Sequence, residues 1–226
     1  MKVVNVNTNR GAHRLKSNLL KFDADIILIQ EWADHKSDRS SEAAGKFSEY
    51  PFITATRYLL TLSTSSAEIV HSSDRLLVTR HSCGLIINSY SPGSGSGKLR
   101  REHLQELKAL IDSLGETPVL ISGDFNMAPR LEDGWHGRNH SPYTSKGERV
   151  AFDELLEDHG LADLGATVRW ESTFERMNKG KLTSFRCDLA LVNATSINSW
   201  SIAYDHDFRK KKEMSDHSAL ILDYEV

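Results

Sequence analysis

Residues 118–126 read Pro118-Val119-Leu120-Ile121-Ser122-Gly123-Asp124-Phe125-Asn126. A short, β-branched run opened by proline predicts a buried strand. Gly123 then permits a turn without a Cβ penalty, so Asp124 and Asn126, two apart, point to one side while Phe125 packs behind them. An acid and an amide at a strand end are a candidate catalytic pair, although Gly-Asp turns also arise from backbone geometry alone.

The arrangement recurs along the chain. Val3-Val4-Asn5-Val6-Asn7 opens it, and Ile26-Ile27-Leu28-Ile29-Gln30-Glu31 follows. Arg186-Cys187-Asp188 enters the run Leu189 to Val192, and Ser215-Asp216-His217 precedes Ser218-Ala219-Leu220-Ile221-Leu222. Each couples an apolar strand to a polar residue of the kind that a metal phosphodiesterase needs. Glu31 is the first choice of metal ligand, because a carboxylate ending an apolar strand needs a reason to be there. Mg²⁺ takes oxygen donors and keeps several waters, so one or two carboxylates suffice.

In this order the motifs resemble the exonuclease-endonuclease-phosphatase superfamily, from Asn5 to His217, nearly the whole chain. The resemblance implies a DNase I-like fold of class α/β (α+β): a four-layer sandwich of two packed mixed or antiparallel β-sheets flanked by helices, with the site at one end. It implies that Asp124 orients and deprotonates the attacking water, and that Asn126 holds that Asp and the phosphate. Asp188 and His217 would pair so that the imidazolium stabilises charge on phosphorus. Asn5 belongs to the same catalytic set. Asn7 would support the metal or its water shell, and Asp216 would be an auxiliary carboxylate near it. The implied cofactor is Mg²⁺, with Mn²⁺ accepting the same ligands.

Within the superfamily, Tyr90-Ser91-Pro92 resembles the exonuclease III-type branch of apurinic/apyrimidinic endonucleases, and implies that Tyr90 bonds the scissile phosphate or the leaving oxygen. Glu148-Arg149, followed by Gly160-Leu161-Ala162-Asp163, looks like the same branch. Phe174 and Phe185 fall where its members set aromatics against a flipped-out abasic sugar. The chain departs from that branch at Gly93, where Asn or Gln is expected, and at Asn9-Arg10, where Gly is usual. The implied partner is DNA, as a duplex carrying abasic sites. The rivals are a general nuclease or small-phosphoester hydrolase of the same superfamily, and a binding protein that kept the fold and lost the chemistry. The complete motif set argues against the last.

The 226 residues suit one domain over 1–226, with no linker. Cys83 and Cys187 are too few for a disulfide framework and suit a reducing compartment. No apolar run is long enough to span a membrane, and Met1-Lys2 leads straight into a strand pattern with no signal-peptide signature. The expectation is a monomeric, intracellular, cytoplasmic protein.

A formal net charge of −3 gives no global attraction to nucleic acid, so binding would rest on local patches. Lys98-Leu99-Arg100-Arg101 and Arg209-Lys210-Lys211-Lys212 are two, the second just before Ser215-Asp216-His217. Lys210 and Lys211 would hold a polyanionic backbone there; a solvated surface is the plainer account of either run. The stretch 129–146 predicts a long irregular loop in which Arg138 contacts a DNA backbone or Trp135 and Tyr143 pack locally. Gly93 to Gly97 is one residue short of a phosphate loop, and Leu99 stands where Ser or Thr would bind the metal. No activated Ser or Cys nucleophile is found, which leaves water as the attacker. The remaining histidines, His136 and His140 among them, are read as structural.

Strands are expected near 2–7, 25–30, 52–56, 67–71, 74–80, 84–90, 118–122, 187–192, 197–204 and 218–225, with helices near 13–21, 98–114 and 148–159. More strands than helices, joined by short turns, favour mixed or antiparallel sheets.

Overall fold

A computed structural model describes residues 1–33, 45–93, 97–211 and 214–225. The motif strands are legible in the first six-stranded sheet. Its centre is β1 (Lys2–Asn7) parallel to β2 (Ile26–Gln30). Beyond β2 lie β4 (Leu59–Ser63) and β3 (Phe52–Ala55), each antiparallel to its neighbour; on the other side of β1 lie β16 (Ala219–Tyr224) and β15 (Trp200–Asp205).

The second sheet repeats the plan. Its parallel centre is β7 (Gly84–Tyr90) and β8 (Leu120–Asp124). On one side lie β6 (Leu76–His81) and β5 (Glu68–Ser72), on the other β14 (Asp188–Asn193) and β11 (Leu161–Asp163), each antiparallel to its inner neighbour. Val3, Leu28, Ile86, Leu120, Val192 and Leu222 pack between the sheets. The outer face of the first sheet is covered by α1 (Lys16–Leu20), Trp32, Phe47 and Phe208. That of the second is covered by α2 (Gly97–Leu114) and α3 (Lys146–His159). Ser145 caps α3 in a reciprocal box with Glu148, which explains why the helix starts ahead of the expected 148.

Period-two alternation along the strands explains where the chemistry sits. On the faces turned toward each other, Val3, Asn5 and Asn7 follow in β1; Ile86, Asn88 and Tyr90 in β7; Leu120, Ser122 and Asp124 in β8; and Val192, Ala190 and Asp188 in β14. The interface is dry at one end and polar at the other. The two parallel pairs send four strand C-termini to that polar end, and antiparallel β14 and β16 begin there.

Four expectations change. Gly123 makes no turn; it lies inside β8, where a Cβ would stand 1.8 Å from the Ser89 carbonyl oxygen of neighbouring β7. Gly123→Ala is therefore expected to push the two strands apart and destabilise the fold by about 3 kcal/mol, read as a lower urea midpoint at unchanged slope; an unchanged midpoint would contradict the close approach. The 129–146 stretch is ordered: β9 (Gly134–His136) and β10 (Asn139–His140) join β13 (Lys181–Phe185) and β12 (Phe174–Asn178) in a small antiparallel sheet. Strand β4 fills a gap in the expected pattern. The expected strand over 197–204 begins instead as a tight helical turn, Ala194–Ser199, before β15.

Among the described residues no helix is long and apolar enough to cross a membrane. Both cysteines are free.

Candidate active site

Tyr90, Asp124 and Asp188 stand abreast, because β7, β8 and β14 pair in the register Tyr90↔Asp124↔Asp188. Asp124 is buried and its carboxylate accepts three hydrogen bonds. Backbone N–H of Asn126 reaches Oδ1 at 2.9 Å, while Asn126 Nδ2 and Asn7 Nδ2 both reach Oδ2 at 3.0 Å. Asn126 adopts a left-handed φ of 50°, the conformation that Asn tolerates best after Gly, which folds its side chain back onto Asp124. Its second amide hydrogen is spent on the Ser91 carbonyl at 2.9 Å. Asn126 thus fixes Asp124 rather than offering a free donor to a phosphate. Gly93 is the partner of this turn, since a Cβ there would lie 2.9 Å from Asn126 Oδ1.

His217 Nδ1 donates to Asp188 Oδ2 at 2.8 Å, and its Nε2 faces Asp124 Oδ2 at 4.0 Å. Burial alone would lower the His217 pKa, but the carboxylates of Asp188 and Asp124 outweigh it and raise it well above the ordinary value. Burial, reinforced by Asp188 and opposed by His217, pushes Asp124 up to about 7. The pair is an imidazolium beside a carboxylate that binds a proton readily.

Glu31 ends β2 in a left-handed turn, φ 47°, and is partly exposed. Its Oε1 accepts from Tyr90 OH at 2.6 Å and Asn7 Nδ2 at 3.3 Å, and Arg10 Nε lies 3.9 Å from Oε2. Asn7 therefore bridges Glu31 and Asp124 while its Oδ1 accepts from the Asn9 N–H at 2.9 Å. Asn9 and Arg10, at φ 46° and 64°, take the left-handed conformation for which glycine is the usual residue. A half-buried carboxylate and an amide oxygen at the open end suit a hard cation such as Mg²⁺. Asp124, Cys187 and His217 also lie within 4.8 Å of one another, but burial pushes the Cys187 thiol up and His217 holds its proton, so neither offers a ligand lone pair.

Other residues fall differently from expectation. Asn5 is one row behind the site, accepting from Gln30 Nε2 at 2.8 Å; the same Nε2 donates to Asn88 Oδ1 at 2.7 Å across the sheet interface. Tyr90 is committed to Glu31, with the Arg75 guanidinium 4.8 Å from its ring; burial and the Glu31 and Asp124 charges push its phenol upward. Asp216 is half-buried and makes no hydrogen bond among the described residues. Arg209 is drawn inward to Glu175 and Ser218, and Lys211 pairs with Asp207 on α4 (Asp207–Lys210) at 3.2 Å. Lys212 lies outside the described residues, as do 94–96 of the glycine-serine loop. Arg138 is exposed at the β9–β10 tip, and Trp135 packs locally on His140 at 4.3 Å.

Three further side chains hold the site together. Ser215 Oγ donates to the Asn7 carbonyl at 2.7 Å and accepts from the His217 N–H at 3.1 Å, tying the His217 loop to β1. Thr173 Oγ1 accepts from the N–H groups of Cys187 and Asp188, both at 3.1 Å. Tyr143, held by Arg100, donates to the Gly93 carbonyl at 2.6 Å. With Phe174, Phe185, Asn126 and His217 it lines a cavity of about 400 Å³ beside the carboxylates.

Solved structures with this fold include a 3′-5′ exonuclease from Neisseria meningitidis, 21% identical with a TM-score of 0.81 over 100% of both chains. An AP endonuclease from Archaeoglobus fulgidus is 19% identical with a TM-score of 0.77, again over 100% of both chains. A 3′ phosphatase from Neisseria bound to product DNA hairpin gives 21% and 0.78 over the same coverage. No curated protein matches. At these identities the structures establish the fold alone. The sequence profile of the Endonuclease/Exonuclease/phosphatase family, however, matches residues 4–217, the span over which the strand ends deliver Asn7, Glu31, Asp124, Asp188 and His217 to one place, and the chain belongs to that family.

Proposed function

We propose that the protein is a divalent-metal-dependent DNA phosphodiesterase that incises beside abasic sites and trims blocked 3′ ends. The observation that carries this reading is the buried Asp124, gripped by Asn7 and Asn126 and 4.0 Å from the His217 imidazole. A base and an acid side by side at that separation can address two atoms of one reacting centre, the attacking water and a phosphoryl oxygen.

In this mechanism Asp124 takes the proton of the water, and its raised proton affinity suits that step. Asn7 and Asn126 keep its oxygens aimed. Protonated His217, held by Asp188, stabilises the charge that grows on the phosphoryl oxygens. Glu31 and Asn7 would hold the metal, which supplies Lewis-acid charge stabilisation at the phosphate when bound. Tyr90 fixes Glu31, and the cavity lined by Phe174 and Phe185 receives the group on the far side of the phosphorus.

The test compares an abasic-analogue duplex, the same duplex undamaged, and a soluble inositol phosphate, each with Mg²⁺ or EDTA. Metal-dependent nicking confined to the lesion supports the reading. Equal cutting of both duplexes would mean a general nuclease, and turnover of the inositol phosphate alone would mean a small-phosphoester hydrolase.

A further inference from the structure

The β12–β13 hairpin forms one wall of the cavity. Phe174, Arg176 and Asn178 alternate along β12, with Phe185 and Thr183 opposite them in the register Phe174↔Phe185 and Arg176↔Thr183. Near the site this wall is apolar: the Phe174 ring lies 5.0 Å from His217 and 6.5 Å from Phe185. Two residues further out, roughly 7 Å along an extended strand, it carries Arg176, with Asn178 beyond. Arg176 has no hydrogen bond or ion pair among the described residues, whereas Arg209, against the same hairpin, is consumed by Glu175, Ser172 and Ser218. The cavity thus has an imidazolium at its inner end and an uncommitted cation on its outer wall. A neutral sugar would use only the rings between them.

We infer that Arg176 determines specificity: it selects DNA 3′ ends in which the group beyond the scissile phosphorus carries a second anion, a carboxylate or a phosphate. This rests on the phosphodiesterase reading above. In hydrolysis the water oxygen bonds to phosphorus, the P–O3′ bond breaks, and O3′ takes up a proton. The small phosphoester then leaves with its second anion unchanged. That charge is the same in ground and transition states, so Arg176 acts on KM and not on kcat. The planar guanidinium suits a carboxylate or phosphate bidentately, and its exposure limits the effect to about tenfold.

The probes are two duplexes whose 3′-terminal phosphate is esterified to a carboxymethyl or to a hydroxyethyl group, similar in size and different in charge. The wild-type protein is expected to show a KM about tenfold lower for the carboxymethyl end, with kcat matched within about twofold. Arg176→Ala should abolish that preference by raising only the carboxymethyl KM, and Arg176→Lys should keep part of it. Anisotropy of the same labelled duplexes in EDTA reads the preference without turnover. Charge preference in binding with neither end hydrolysed would uphold the anion site and sink the phosphodiesterase reading. No preference in the wild type, or equal loss on both ends in Arg176→Ala, would overturn the inference.

Discussion

Asp124→Asn is expected to lower metal-dependent hydrolysis roughly 10³-fold or more while leaving the protein folded. Asparagine has nearly the same shape, so packing against the β7 and β14 neighbours is kept, but it takes no proton from water. One of its positions also becomes a donor. Asp124 Oδ2 accepts from both Asn7 and Asn126, and Oδ1 accepts from a backbone N–H, so either orientation of the new amide sets a donor against a donor. The lost hydrogen bonds cost about 1–2 kcal/mol, offset by no longer burying a charge. Single-turnover rates and a urea transition measured together separate the two effects. A rate within about tenfold of wild type would remove Asp124 from the role of base.

The second large effect is on stability. Arg186 is buried and grips two carboxylates at once: Nε and one Nη reach Asp133 at 2.9 and 2.8 Å, and both Nη groups reach Asp163 at 2.9 and 2.7 Å. Burial alone would weaken its hold on the proton, but these carboxylates more than restore it. Three segments meet there: the turn before β9, the end of β11, and the start of β14, two residues ahead of Asp188. Arg186→Met would leave two buried carboxylates facing each other without a cation, at a cost of about 3–5 kcal/mol. Adding Asp133→Asn and Asp163→Asn should recover most of it, because breaking a buried ion pair costs more than replacing it. Chemical denaturation of the single and triple variants checks this. A single variant within about 1 kcal/mol of wild type would show that the cluster holds nothing together.

The strands that carry the site were legible because each shows a plain physical signature: an apolar run that changes to polar on its inward face. What escaped notice lacks one. Strand β4, Leu-Leu-Thr-Leu-Ser, is buried throughout and so has no alternation to read. The β12–β13 hairpin turns at Lys179-Gly180, both left-handed at 48° and 74°. Lysine in place of the usual Asn or Asp hides that turn type, and the hairpin's other face is exposed, with Met177 and Leu182 in water. Missing the hairpin hid Arg176 as well, because its place on the cavity wall follows from strand register and not from any motif. In the Arg209–Lys212 run composition shows the charges, and only the fold shows that Glu175 has already claimed Arg209.

The central claim is that a water activated at Asp124 attacks phosphorus and breaks the P–O3′ bond. The measurement is hydrolysis of an abasic-analogue duplex in ¹⁸O-water with Mg²⁺, followed by mass spectrometry of both ends at the nick. The account predicts one ¹⁸O in the new 5′-phosphate and an unlabelled 3′-hydroxyl. Label in a 3′-phosphate, or strand scission with no label in either end, would contradict it.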